Sequence, residues 1–264
     1  MNIMLPFMRE LEYFFGALRF FTRLPVPAWV GHSEERLNRA TRYFPAVGLL
    51  VGLIAALVWV LTSLFWPKPV ALLLSLGATL LVTGAFHEDG LADMTDGFGG
   101  GWDKARILDI MKDSRIGSFG AIALTMTLLG RFMLLLELPD DWIVVALLAA
   151  HTVSRFAAVA LMRLLDYARD DALAKTKPLA THIIDRDFYI ALATAALPCL
   201  PLLLLSGNLL FALILVAAVV FWLKRFFRRW LGGYTGDCLG ATQQAAELAF
   251  YLGLLAHLPA AHGG

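Results

Sequence analysis

Seven stretches of about 20 apolar residues divide this chain, near 44–65, 70–87, 118–137, 142–162, 188–205, 208–224 and 238–257. Each is close to the length a helix needs to cross the hydrocarbon core of a bilayer. In hydrocarbon a backbone N–H or C=O finds no water, so such segments must satisfy themselves internally, as helices do. Composition agrees: 59% of the 264 residues are hydrophobic and 16% charged, where soluble domains sit near half and a quarter. The expected fold is all-α, a polytopic membrane helical bundle with about seven transmembrane helices. Neither a repeat nor a linker interrupts it, so residues 1–264 read as one integral membrane domain, with 44–257 as the bundle and 1–43 as an N-terminal segment. Within that segment "LPFMRELEYFFGALRFFTRLPVP" mixes Arg and Glu with Phe, Leu and Tyr, the pattern of an amphipathic helix lying in the interface. It does not read as a secretory signal, because charges break its apolar run and no small-residue cleavage site follows.

The Lys and Arg count orients the bundle. With these spans, nineteen fall on one side, in the segments 1–43, 88–117, 163–187 and 224–237, and only Lys68 falls on the other. Arg131 and Arg155 lie inside spans. The N-terminus and every long polar loop are therefore expected in the cytoplasm. Net charge is +1, which gives no general attraction for nucleic acid. The two cysteines, Cys199 and Cys238, form no CxxC, so neither a disulfide framework nor a zinc site is expected.

Against this background "FHEDGLADMTDGFGGGWDKAR", residues 86–106, is anomalous. Asp89, Asp93 and Asp96 follow one another at i, i+4 and i+7, with Glu88 adjacent. On a helix those three lie within roughly 60° of one another, and like charges so placed repel. A cation should sit among them. Carboxylate oxygens without His or Cys partners suit Mg²⁺ or Mn²⁺, and Mg²⁺ typically shares its shell with substrate phosphates and water. Asp93 to Gly97, "DMTDG", resembles the opening of the CDP-alcohol phosphotransferase signature, with Ala105–Arg106 displaced and Asp109 and Asp113 following.

The other polar islands carry a fuller resemblance. "FFTRLPVP", "YFPAVGLLVG", "FHEDGLADMTDGFGGG", "IMKDSRIGSFGAIAL" and "GGYTGDCLGA" occur in that order. Together they are similar to the cobalamin synthase family, the adenosylcobinamide-GDP ribazoletransferases of the bacterial inner membrane, from about residue 14 to 248. The resemblance implies a Mg²⁺-dependent transfer in which a hydroxyl of α-ribazole, or of its 5′-phosphate, attacks the phosphate attached to cobinamide and GMP leaves. Phosphoryl transfer of this kind is mostly positioning and charge neutralisation. Expected partners are these small molecules, membrane lipid and further copies of the chain.

The site expected from residues and resemblance together is as follows. Glu88, Asp89, Asp93, Asp96 and Asp113 form the metal shell, with Asp96 or a neighbour as base; Asp113 has the alternative of orienting Arg115. Arg106, Lys112 and Arg115 are phosphate candidates, though the inside-positive rule already accounts for cations there. Arg155 is expected to face the interior as a phosphate or carboxylate partner, because charge within a span is costly. His151 shares its face, as ligand contact or as a hydrogen-bonded core residue. Arg131 has the same reading as Arg155, with a structural salt bridge as the alternative. In "GGYTGDCLGA", Thr235 or Asp237 either caps the next helix or serves the site, Asp237 as a further acid. Gln243, Gln244 and Glu247 continue a polar face into the last span. Lys175 and Lys177 are placed to meet an anionic substrate. Two other classes compete: a CDP-alcohol enzyme of lipid synthesis, and a transporter, for which intramembrane charge is also expected.

Overall fold

The computed structural model describes residues 4–31, 33–168, 183–205 and 207–256. Twelve α-helices run through them: α1 (Met4–Phe21), α2 (Glu34–Ala40), α3 (Phe44–Ser63), α4 (Lys68–Thr83), α5 (Phe86–Gly100), α6 (Lys104–Ile110), α7 (Ser118–Glu137), α8 (Asp140–Leu164), α9 (Asp185–Ala196), α10 (Leu200–Leu205), α11 (Leu209–Leu231) and α12 (Gly236–Leu254). The fold is an all-α polytopic bundle. The helix starts follow local chemistry. Ser33, Asp103 and Thr235 each accept a backbone N–H of the first turn, capping α2, α6 and α12; otherwise those amides would lack partners.

Among the described residues five helical segments are long and apolar enough to cross a membrane: Glu35–Ser63, Ser118–Glu137, Asp140–Leu164, Asp185–Leu205 and Leu209–Leu231. The first expected span thus extends back through α2 and a short 3₁₀ turn. The second is altered more. Its helix α4 stops at Thr83, and only α4 and α5 together reach the required length, across a break bent by 84°. The seventh, α12, is not in the apolar set, because its 19 residues include Asp237, Gln243, Gln244 and Glu247. It nevertheless lies at the centre of the bundle, packed against α5, α7, α8 and α11, and the three polar residues from Gln243 to Glu247 are buried. Its polarity is turned inward.

Close helix approach is built on small residues, as expected where lipid is no less apolar than leucine and packing must supply the attraction. In α3, Gly48 and Gly52 form a GxxxG pair facing α8. A Cβ at Gly48 would collide with the His151 carbonyl, and one at Gly52 would meet the Leu147 carbonyl oxygen at 3.0 Å. The N-terminal helix is docked by charge. Arg42 ion-pairs with Glu10 of α1 at 3.0 Å and with buried Asp187 of α9 at 2.8 Å, and the Tyr43 hydroxyl donates to Glu10 at 2.8 Å.

We expect Gly48→Ala to lower the thermal unfolding temperature in detergent, by about 1–3 kcal/mol of overpacking. Gly77→Ala, where an added Cβ meets nothing within 4 Å, should leave it unchanged or raise it slightly, since alanine is the better helix former. Equal effects of the two would contradict the α3–α8 contact.

Candidate active site

The acidic segment owes its placement to two consecutive residues. Gly84 ends α4 at φ 64°, and Ala85 follows at φ 56°. Glycine adopts this left-handed conformation freely; alanine pays for it with steric strain. The strain is held in place. The Arg23 amide donates to the Val82 carbonyl at 2.8 Å and the Ala85 amide to the Leu80 carbonyl at 3.0 Å. The result is that Glu88, Asp89, Asp93 and Asp96 do not cap a span, as their position in the sequence suggests. They ride on a separate helix turned 84° from it.

Along α5 the acids have different surroundings. Asp89 is exposed, Asp93 half-buried and Asp96 buried. Both Asp96 oxygens accept backbone N–H groups from the start of α7, Oδ2 from Gly117 at 2.7 Å and Oδ1 from Gly120 at 2.9 Å. This is charge placed at a helix N-terminus, where the dipole favours it. Asp96 therefore clamps α5 to α7. Asp113 sits in the α6–α7 connection and engages Arg115, with Nε to Oδ1 at 3.0 Å; the hydrogen bonds from Arg115 hold its carboxyl down at about 2. Of the two roles open to Asp113, the structure displays the one directed at Arg115.

Asp237 reaches α5 from the other side. Helices α5 and α12 cross at Gly90 and Gly240: a Cβ built on Gly90 would lie 3.2 Å from the Asp237 Cα and 3.4 Å from the Gly240 Cα. Only a bare backbone allows this approach. Gly90 follows Asp89 directly and precedes Asp93 by three residues, so the crossing brings the first turn of α12 to the part of α5 that carries both acids. Thr235 fulfils the capping role, its Oγ1 accepting from the Cys238 amide at 3.3 Å. The loop before it is pinned to the end of α8 by two backbone hydrogen bonds, Ala168 N to Tyr234 O at 2.8 Å and Tyr234 N to Asp166 O at 2.9 Å. Among the described residues no three His, Cys, Asp or Glu side chains are grouped so as to enclose a metal by themselves.

Beneath the crossing lies a buried charge network. Arg131 of α7, 1% exposed, ion-pairs with Glu88 at 3.2 Å and Glu247 at 3.3 Å. Gln244 donates to Glu88 at 3.0 Å and to Gln243 at 2.8 Å. Gln243 in turn donates to Ser154 at 2.9 Å and Glu247 at 2.8 Å. His151 Nδ1 stands 3.7 Å from Glu247, and Arg155 donates to the His151 carbonyl at 3.0 Å. Buried Glu88 Oε2, His151 Nε2 and Arg155 Nε have no hydrogen-bond partner among the described residues. Their residues line a cavity of about 10 Å³ together with Thr79, Thr83 and His87, the volume one water requires. So of the two readings open to Arg131 it takes the buried salt bridge, and Arg155 and His151 face the interior. Glu88 is directed into this network, away from the exposed acids.

The remaining cations are peripheral. Arg106 pairs with Asp109 at 2.9 Å, and both are exposed; Lys112 is exposed. Lys175 and Lys177 lie outside the described residues. Sequence reasoning does not single out His87 and Thr79 as site residues. His87 stacks on Phe21 with ring centroids 5.3 Å apart, a partner distant in sequence; the neighbouring polar face of α12 is legible from its spacing.

These features define a class: an all-α multi-pass membrane protein with a carboxylate-bearing helix turned across the bundle and tied down by buried charge. Comparison with known proteins identifies which. The model of the family described as cobalamin-5-phosphate synthase matches residues 13–255, and the chain belongs to that family, an enzyme family of cobalamin biosynthesis. Relatives named adenosylcobinamide-GDP ribazoletransferase include one from Shewanella woodyi, 51% identical over 94% of this chain and 96% of its own. Another from Shewanella frigidimarina is 48% identical over 96% and 97%, and one from Vibrio parahaemolyticus is 46% identical over 94% and 93%. No solved structure matches.

Arg131→Ala should destabilise the protein by about 3–5 kcal/mol, because it strands two buried carboxylates. Adding Glu247→Gln to Arg131→Ala should recover part of that loss. Thermal unfolding in detergent checks both, and an Arg131→Ala variant as stable as the wild type would contradict the network.

Proposed function

We propose that this enzyme joins adenosylcobinamide-GDP to α-ribazole, or to its 5′-phosphate, at the face of α5 that carries Asp89 and Asp93. A ribazole hydroxyl forms the new O–P bond at the phosphate attached to cobinamide. The anhydride bond to the second phosphate breaks, GMP departs with the bonding electrons, and a carboxylate takes the hydroxyl proton. The relatives' shared name supports the reaction. The observation that carries the location is the Gly90–Gly240 crossing, which sets Asp237 beside the turn of α5 between Asp89 and Asp93.

Asp89, Asp93 and Asp237 are the residues we assign to Mg²⁺. Their donor atoms are all carboxylate oxygens, hard ligands of the right kind. Mg²⁺ is usually held by one or two carboxylates, with water and substrate phosphates completing its shell. Bound there, Mg²⁺ supplies neutralisation of the pyrophosphate charge. Asp96 we assign to positioning, since both its oxygens are engaged by α7, and Glu88 likewise through Arg131. Exposed Lys112 and Arg115 flank the connection to α7, where an anionic substrate would approach. Arg155 and His151, beneath the crossing, support α12 rather than touching phosphate. The excess of Lys and Arg on one side supports an inner-membrane protein with this site facing the cytoplasm.

Purified enzyme in liposomes, given adenosylcobinamide-GDP, α-ribazole and Mg²⁺, should release GMP, and chelation should stop it. Turnover of a CDP-alcohol in its place, or ion flux without turnover, would replace this reading with a competing one. Asp93→Asn should reduce GMP release about 100-fold or more while leaving the unfolding temperature near wild type. Near-normal turnover would remove Asp93 from the site.

A further inference from the structure

A groove of about 400 Å³ runs between α5, α7 and α11, lined by Met94, Phe98, Phe119, Ile122, Trp222 and Phe226 among others. Its volume is that of a small-molecule site, and its wall is almost entirely apolar. Aromatic contacts hold it in shape: Phe98 and Phe226 lie 4.6 Å apart, and Trp222 stacks on Phe226 at 5.4 Å. Helices α7 and α11 both qualify as membrane spans. The groove opens outward between them, with Trp222 61%, Ile122 63% and Phe119 53% exposed. On α5 it takes Met94 and Phe98, which helical rotation places away from Asp89 and Asp93. It is therefore separate from the carboxylate site.

One end of the groove is charged. Trp222, Phe226 and Arg229 follow one another at i, i+4 and i+7, so Arg229 continues the groove face of α11 toward the helix end, with Arg225 flanking it. The Arg225 guanidinium stacks over Phe221 at 4.0 Å and that of Arg229 faces the Trp230 ring at 5.9 Å. Neither meets a carboxylate among the described residues. Lys224 and Arg228 bring the basic residues in these last turns to four, the juxtamembrane pattern that attracts anionic lipid.

We propose that the groove is a binding site for an anionic phospholipid, its acyl chain lying along Phe98, Phe119, Trp222 and Phe226 and its phosphate meeting Arg225 and Arg229. An apolar slot open to the bilayer with unpaired cations at one end matches such a molecule at both of its ends. A neutral lipid would leave the cations unanswered, and a soluble anion would leave the slot unfilled.

The test uses the full-length protein in phosphatidylcholine vesicles and the fluorescence of Trp222, isolated as the difference from Trp222→Phe. A minor fraction of phosphatidylglycerol with brominated acyl chains should quench that component more than brominated phosphatidylcholine at the same fraction. The preference should disappear in Arg225→Gln/Arg229→Gln, and Ala123→Phe, which fills the slot, should reduce quenching by both lipids. Equal quenching by the two lipids in the wild type would show ordinary annular lipid and overturn the proposal. No quenching by either would show the slot covered, as by a second copy of the chain, and would overturn it too.

Discussion

The structure depends on an arginine placed where arginine is most costly. Arg131 lies within an apolar span and is closed off from solvent, a position tolerated only when its charge is answered at once. Glu88 from α5 and Glu247 from α12 answer it, and the two glutamines of α12 distribute the remaining hydrogen bonds. Three helices that would otherwise have only weak apolar preferences for one another are thereby locked into one arrangement. Attraction between such groups is strong in a low dielectric, and the desolvation they suffer is large. Specific geometry is the gain: this register of α5 on α12 pairs Glu88 and Glu247 with Arg131 and the two glutamines.

That register also sets how the acids of α5 are held. Glu88 is anchored inward and Asp96 is anchored on the first turn of α7, which fixes the rotation of the helix between them. Asp89 and Asp93 share the helix face of Asp96, and the Gly90–Gly240 crossing brings the backbone of Asp237 to the same turn of α5. The strained turn at Gly84–Ala85 completes the arrangement by turning α5 out of the direction of α4. Under the proposed function, carboxylates held in this way would need little reorganisation when a charged substrate arrives, which is where electrostatic catalysis gains most.

Much of this was legible in the sequence. Apolar run length identified the helices, because hydrocarbon permits little else, and the i, i+4, i+7 spacing of Asp89, Asp93 and Asp96 identified an acidic face. The glycines of "GGYTGDCLGA" and Thr235 signalled a capped helix start. What spacing could not convey was partnership. Glu88 and Asp96 look like metal ligands beside their neighbours, yet Arg131 and the Gly117 and Gly120 amides, all more than 20 residues away, claim them. Nor did hydropathy reveal the break at Thr83, since Gly84 and Ala85 are as apolar as the helix they end; the signal there was a glycine at a helix terminus, a weaker cue than a long apolar run. The polar face of α12 showed in its sequence, whereas the identity of what it faced required the fold.

We propose that Asp89, Asp93 and Asp237 hold a divalent cation against the substrate pyrophosphate. Pulsed electron paramagnetic resonance with Mn²⁺ in place of Mg²⁺ tests it most directly, by reading phosphorus nuclei coupled to the bound ion. With adenosylcobinamide-GDP present, the wild-type protein should show phosphorus coupling, Glu88→Gln should retain it, and Asp93→Asn and Asp237→Asn should each lose it. Mn²⁺ bound with undiminished phosphorus coupling in both aspartate variants would contradict the account.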